Sequence, residues 1–315
     1  LVVESTSVHH SRVNIESFRY QSFQTGKPHL FESGESPDRD SLPAQDTWFK
    51  IRDRDRDASE TWALSSYLDN FLDWPFPYEV VSASGAHEAP IVAFRNKLLQ
   101  SRDFSDHVLA GLIEPVVSEL GTRTFFQLFA PLKLLKLALD FNREQLVKNQ
   151  DPLQLYVAQS SLKDLPKQLL SSLPTPPLVG CAGKGDIYDS SIWLGTEPTY
   201  TPLHRDPNPN LFCQLCSRKL VRLLPPNDGD QVFFEVQVRI RQRGNSRIRT
   251  TDMMEGKERE AMHEAVWEND GLSGRIYEVD VGPGDALFIP NGWWHSIKSK
   301  HARGGLNASA NWWFR

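Results

Sequence analysis

The chain has 315 residues, of which 39% are hydrophobic and 24% charged, with a formal net charge of -5. That is enough apolar material for a substantial core in one large or two small domains, and the acidic balance excludes a global attraction to nucleic acid or anionic membrane. No run approaches the roughly 18 consecutive apolar residues of a membrane helix, and three cysteines, Cys181, Cys213 and Cys216, leave one unpaired under any disulfide scheme, as expected inside the cell.

Val13 to Phe31 reads as a short helix followed by a strand. Residues 32 to 61 are polar, and the alternating run Arg52-Asp53-Arg54-Asp55-Arg56-Asp57 reads as a solvated loop or helix face. Thr61 to Leu72 has helical periodicity, which Trp74-Pro75-Phe76-Pro77 breaks. Tyr78 to Val81 and Ile91 to Phe94 read as strands, with Ser82 to Ala89 as the loop between them. Phe104 to Leu120 and Phe125 to Lys148 read as largely helical or mixed, interrupted by Pro115, Gly121 and Pro131. Pro174-Thr175-Pro176-Pro177 marks a bend before a strand at Ile187 to Leu194. Residues 286 to 290 and 293 to 297 are extended and broken at Pro290-Asn291-Gly292, and Cys213 and Cys216, despite metal-like spacing, read as core residues of a strand. Leu1 stands where an initiator methionine would, which points to an upstream piece removed. Residues 1 to 30 show neither a secretory core nor a transit composition, so nucleus or cytoplasm is expected, with the mitochondrion open to a cleaved presequence.

Arg239, Arg241, Arg243, Arg247 and Arg249 crowd eleven residues, with Arg259 following. Alternating with Val238, Ile240 and Ile248, they read as a strand pair or extended loop turning at Gly244-Asn245. A solvated edge that discourages strand aggregation is the first reading, and a docking surface for an acidic protein or RNA the second.

The chemistry concentrates in His204-Arg205-Asp206 and in His295, ninety-one positions after His204. Side chains at i and i+2 of a strand share a face, so His204 and Asp206 can converge on one ion while Arg205 points away. The second histidine must come from another strand, where Trp293, His295 and Ile297 share a face. Two imidazoles and one carboxylate without a fourth protein donor form a facial triad with open positions, the arrangement of non-haem Fe(II) sites that use oxygen. An isolated H-x-D is ordinarily a surface loop; the joint pattern carries the reading.

The segments Thr201-Pro202-Leu203-His204-Arg205-Asp206-Pro207-Asn208-Pro209-Asn210-Leu211-Phe212, Ser217 to Pro226, and Gly284-Asp285-Ala286-Leu287-Phe288-Ile289-Pro290 with Trp293-Trp294-His295 resemble a JmjC-domain (cupin-like) Fe(II)- and 2-oxoglutarate-dependent oxygenase. The small hydroxylase branch that includes the asparaginyl hydroxylase of hypoxia signalling is the most similar, with the likeness continuous over residues 153 to 315. The resemblance implies a double-stranded β-helix (jelly-roll) core in an α+β wrapping, with residues 1–125 as N-terminal strands and helices packing on a domain of residues 126–315. It implies His204, Asp206 and His295 as metal ligands. Lys219, fifteen residues past the first ligand, then pairs with the distal carboxylate of 2-oxoglutarate, and Thr201 bonds the same carboxylate. Asn210, Asn311 and Tyr156 fall on further co-substrate positions. Trp293, Trp294, Trp312 and Trp313 read as packing aromatics.

The implied reaction consumes Fe(II)-bound 2-oxoglutarate and O2, releases succinate and CO2, and places a hydroxyl on an unactivated C-H bond. A protein side chain is the expected substrate, because neither a reader module for modified histones nor a zinc-binding C-terminal element is visible. The alternatives are an RNA-directed hydroxylase and a scaffold or binding subunit without turnover. Oligomeric state stays open.

Overall fold

The computed structural model describes residues 3–6, 14–33, 42–54, 60–81, 90–241, 256–269, 272 and 274–315. Fifteen strands run in chain order through these residues: β1 (Glu4–Thr6), β2 (His29–Phe31), β3 (Phe49–Arg54), β4 (Glu60–Leu64), β5 (Pro75–Val81), β6 (Phe125–Pro131), β7 (Leu155–Ser161), β8 (Ile187–Thr196), β9 (Tyr200–Arg205), β10 (Asn210–Cys216), β11 (Lys219–Leu224), β12 (Tyr277–Val281), β13 (Ala286–Ile289), β14 (Trp294–Ser299) and β15 (Leu306–Phe314). A nine-stranded sheet has the order β1-β2-β13-β10-β15-β8-β7-β5-β6, a four-stranded sheet the order β12-β11-β14-β9, and β3-β4 is a hairpin. Pairing is antiparallel except between β1 and β2. The two larger sheets form an α+β jelly roll of the cupin kind, as the resemblance implies.

Strand composition follows position. All nine residues of β15 and all seven of β10 are buried, because both strands lie mid-sheet and are covered on both faces. One apolar cluster, with Phe212, Val221, Leu223, Val281, Leu287 and Ile289, fills the space between the two sheets. A larger one backs the nine-stranded sheet. It takes in α3 (Pro90–Leu99), α4 (Phe104–Ser118) and α5 (Leu132–Val147), whose buried Leu134, Leu135, Ala138, Phe141 and Asn142 follow helical spacing. The smaller helices are α1 (Ile15–Phe18), α2 (Pro43–Trp48), α6 (Lys167–Ser171) and α7 (Pro177–Ala182). The outer face of the four-stranded sheet is covered by α8 (Pro226–Ile240) and α9 (Gly256–His263), inserted between β11 and β12. Pro226 opens α8, where its missing N-H costs nothing.

Several expectations are corrected. The Arg/Asp run enters a strand at Arg52–Arg54, and Thr61 to Leu64 is strand β4 followed by a 3-10 turn over Ser66–Phe71. Trp62 and Leu64 pack against the core across the hairpin, and that tertiary contact overrides local helical periodicity. Ile91 to Phe94 is helical, its buried Ile91, Phe94 and Leu98 matching a period near 3.6 better than alternation. Phe125 to Pro131 is β6, and Pro115 lies inside α4. Arg239 and Ile240 end helix α8, with Arg241 as a left-handed C-cap, so the arginine cluster does not begin as a strand. Arg243, Arg247, Arg249 and Gly244-Asn245 lie outside the described residues, as does the loop read over Ser82 to Ala89. Cys213 and Cys216 are buried, free and on β10, as read from the sequence.

Candidate functional site

Antiparallel pairing sets His295 directly opposite His204, and their rings stand 4.2 Å apart between centroids. The register then slips: Ile297 pairs with Thr201, so three residues of β9 span two of β14. This bulge returns Thr201 to the inner face that carries His204, which strict alternation would deny it. The outer face holds Arg205, paired with Asp230 at 2.9 Å and lying 5.1 Å over the Trp294 ring. Arg205 points away from the site, as expected.

One ligand atom from each of His204, Asp206 and His295 lies within 4.8 Å of the others. His204 Nε2 is 3.8 Å from Asp206 Oδ1, and His295 Nε2 is 3.5 Å from Asp206 Oδ2. The other ring nitrogens face carbonyls, His204 Nδ1 to Pro202 at 2.9 Å and His295 Nδ1 to Trp293 at 3.2 Å. A carbonyl only accepts, so each Nδ1 carries its proton and each Nε2 presents a lone pair, the tautomer a metal requires. Asp206 Oδ2 accepts from Trp313 Nε1 at 2.7 Å and from Asn210 Nδ2 at 3.1 Å. Burial opposes ionisation of Asp206, but the positive charge that His295 and His204 carry when protonated, together with these donors, outweighs it and holds the carboxyl below its ordinary range. The donor set fits a divalent ion that prefers nitrogen and oxygen ligands.

Across the chamber, β10, β15 and β8 present rows of inward side chains read from their pairing: Asn210, Trp313 and Asp189 in one row, Phe212, Asn311 and Ser191 in the next, Gln214, Ser309 and Trp193 in the third. The triad touches the first row and Lys219 the third. Lys219, 2% exposed, donates to Ser309 Oγ at 2.8 Å and Tyr156 Oη at 3.0 Å, with the Phe212 ring centroid 5.4 Å from its Nζ. Tyr156 comes this close because residue 195 is glycine; a Cβ there would lie 2.6 Å from the tyrosine ring. Burial lowers the Lys219 pKa to about 7, with Cys216 and Glu197 acting in the opposite sense. Among the described residues Lys219 forms no ion pair. In the middle row, the buried Asn311 Oδ1 and Ser191 Oγ have no hydrogen-bond partner among the described residues, while Asn311 Nδ2 donates to Asn210 Oδ1 at 2.9 Å. A dicarboxylate reaching from the triad to Lys219 fits this polar middle row and the buried cation at its end.

The structure thus brings His204, Asp206, His295, Asn210 and Asn311 into one bonded group, and Tyr156 and Lys219 into another. Thr201 lies on the same inner face, its carbonyl accepting from Ser296 Oγ at 2.9 Å. Sequence reasoning missed Ser309 and Trp313. The signal was present: Asn307, Ser309, Asn311 and Trp313 alternate along an otherwise apolar strand, so all four share the face of the expected Asn311. Trp313 is corrected from packing aromatic to site residue, whereas Trp312 and Trp294 pack in the clusters on the outer sides of the two sheets. Arg239 pairs with Glu264 at 3.1 Å. A cavity of about 1110 Å³ beside β9 is lined by Tyr200, Arg239, Arg259 and Glu264, among others, and by none of the triad. Among the described residues no helix is long and apolar enough to cross a membrane.

The family described as "Cupin-like domain" matches residues 88–315. JmjC domain-containing protein D of Dictyostelium discoideum is 26% identical over 154 residues, 46% of this chain and 32% of that protein. Lysine-specific demethylase 8 of Danio rerio is 28% identical over 161 residues, 50% of this chain and 36% of that protein. Lysine-specific demethylase JMJ30 of Arabidopsis thaliana is 26% identical over 147 residues, 46% of this chain and 30% of that protein. The chain spans about a third of the length of these relatives.

Proposed function

The chain belongs to the cupin-like domain family as a JmjC domain, whose oxygenases use Fe(II), 2-oxoglutarate and O2, and on that footing we propose that it hydroxylates a protein side chain. The observation that carries the oxygenase reading is the pairing of a three-donor set with a dry lysine whose bonded partners are two neutral hydroxyls. When bound, iron would activate dioxygen, which is the oxidant, and 2-oxoglutarate would supply two of the four electrons dioxygen takes up, with succinate and CO2 as its products. The chain's own residues do the rest.

His204 and His295 offer Nε2 lone pairs fixed by their carbonyl-bonded Nδ1 protons. Lys219, Ser309 and Tyr156 would hold the distal carboxylate, with Thr201 on the same inner face. Asn311 and Ser191 offer polar atoms, unpaired among the described residues, that would face the middle of the co-substrate. Phe212, Val221 and Leu223 exclude water from the chamber interior.

The hydroxylase-branch assignment rests on the sequence resemblance, and so do the ligand and co-substrate roles. A second reading is favoured by the relatives named lysine-specific demethylases. The two share one step, since oxygen inserted into an N-methyl C-H bond gives a hydroxymethyl group that leaves as formaldehyde and restores the N-H. Protein loaded with Fe(II) and 2-oxoglutarate, incubated with cell extract, tests both by untargeted mass spectrometry. A peptide gaining one oxygen supports hydroxylation; a peptide losing a methyl group with matching formaldehyde supports demethylation. Absence of succinate together with copurification in one stable assembly would sink both in favour of a scaffold.

A further inference from the structure

Trp313 is 8% exposed, and its indole is the nearer of two donors on Asp206 Oδ2, at 2.7 Å against 3.1 Å for Asn210. Among the described residues Oδ1 accepts no hydrogen bond. The carboxylate is therefore asymmetric before anything binds, with one oxygen engaged by N-H donors and the other turned toward His204. A charge-assisted bond of this length is among the stronger ones a side chain makes.

We propose that Trp313 is a positioning residue that restricts Asp206 to ligation through a single oxygen, keeping three positions open on the bound ion. The inference rests on the metal-binding reading given above. A six-coordinate ion held by two imidazoles and one carboxylate oxygen has three free positions. A keto acid chelating through two atoms uses two of them and dioxygen the third. If Asp206 swung to offer both oxygens, it would take a fourth position and leave the keto acid and dioxygen competing for two. Asn210 alone is a weaker restraint, since its bond to Asp206 is longer, 3.1 Å against 2.7 Å. The indole is a rigid plane closing the mid-sheet strand β15, so it cannot follow a rotating carboxylate.

The test uses Co(II), which reports coordination number in its visible spectrum. Trp313→Phe, which deletes the N-H and keeps a ring, is expected to bind Co(II) within about threefold of wild type and 2-oxoglutarate about tenfold more weakly. Its Co(II) spectrum differs from wild type before keto acid is added. Trp313→Gln, which restores an N-H donor on a smaller side chain, recovers part of the keto-acid affinity. Wild-type spectrum and affinity in Trp313→Phe overturn the proposal, as do equal losses in both variants at unchanged melting temperature. A wild-type protein that takes up no Co(II) overturns the metal reading itself, which separates the two failures. The wild-type protein also gives an answer without any variant. With its nine tryptophans 15N-labelled at the indole, Zn(II) binding should shift one slowly exchanging indole N-H resonance strongly; Zn(II) uptake with no indole shift contradicts the proposal.

Discussion

At the triad end of the chamber, charge is already matched: Asp206 is braced by an indole and an amide, faces two imidazoles, and its carboxyl stays readily ionised. The lysine end is the reverse. Lys219 is buried among Phe212, Tyr156 and Ser309 with no ion pair among the described residues, and burial drags its pKa down to about 7. The first end is finished apart from an ion, while the second spends stability on a cation whose natural complement is an incoming carboxylate. A site half satisfied and half strained is organised to take a cation and a dicarboxylate together.

The largest effect separates the ends most sharply. Asp206→Ala removes the only carboxylate of the triad and is expected to abolish Fe(II) binding and succinate formation, read by metal titration and by 2-oxoglutarate turnover. Unchanged turnover would refute the triad. Lys219→Met should leave metal affinity nearly intact while weakening 2-oxoglutarate by about a hundredfold in calorimetry, the scale of a desolvated charge-assisted contact.

The same variant sharpens the contrast through stability. The folded-state pKa of Lys219 is depressed from 10.5 to about 7, so the unfolded chain holds more protons in that window. Stability from this group therefore rises as pH climbs from about 7 to 10.5, and the penalty is full below 7. At pH 6 the unliganded Lys219→Met protein should be the more stable by roughly 2–4 kcal/mol in urea unfolding. Equal stability at pH 6 would show that the lysine is not dry.

Co-substrate affinity carries the next effect. Because the ammonium form binds the carboxylate, wild-type affinity for 2-oxoglutarate should fall by up to about tenfold per unit above pH 7, a slope absent from Lys219→Met. A flat wild-type profile in calorimetry between pH 7 and 8.5 would contradict it. Smallest is Ser309→Ala, which removes one of two hydroxyls on Nζ and should weaken 2-oxoglutarate by about threefold to tenfold, with metal binding unchanged.

The triad was readable because its members carry chemistry in their side chains and spacing limits their faces: an H-x-D with His204 on β9 and Asp206 just past its end, and a histidine after a turn on another strand. Lys219 was readable only through the resemblance, since a lysine fifteen residues downstream has no local mark that separates it from a solvated one. Ser309 and Trp313 were latent in the alternation of β15, but which of its two faces looks inward depends on partners about a hundred residues away. Thr201 shows the limit most clearly. Three residues before His204, it belongs on the opposite face by strict alternation, and only the bulge between β9 and β14 brings it round.

By itself the sequence determined the ligand types, the alternating strands that present them and the absence of a global basic charge, because these depend on residue identity and on contacts within a few positions. Only the tertiary structure decided that residues 61–64 are strand, that residues 91–94 are helix, and that the arginine cluster begins on a helix end. It also decided that a tryptophan from the closing strand reaches the triad carboxylate. The reason is common to all of them: short apolar stretches satisfy helical and extended spacing alike, and what selects between them is burial against strands and helices far away in the chain.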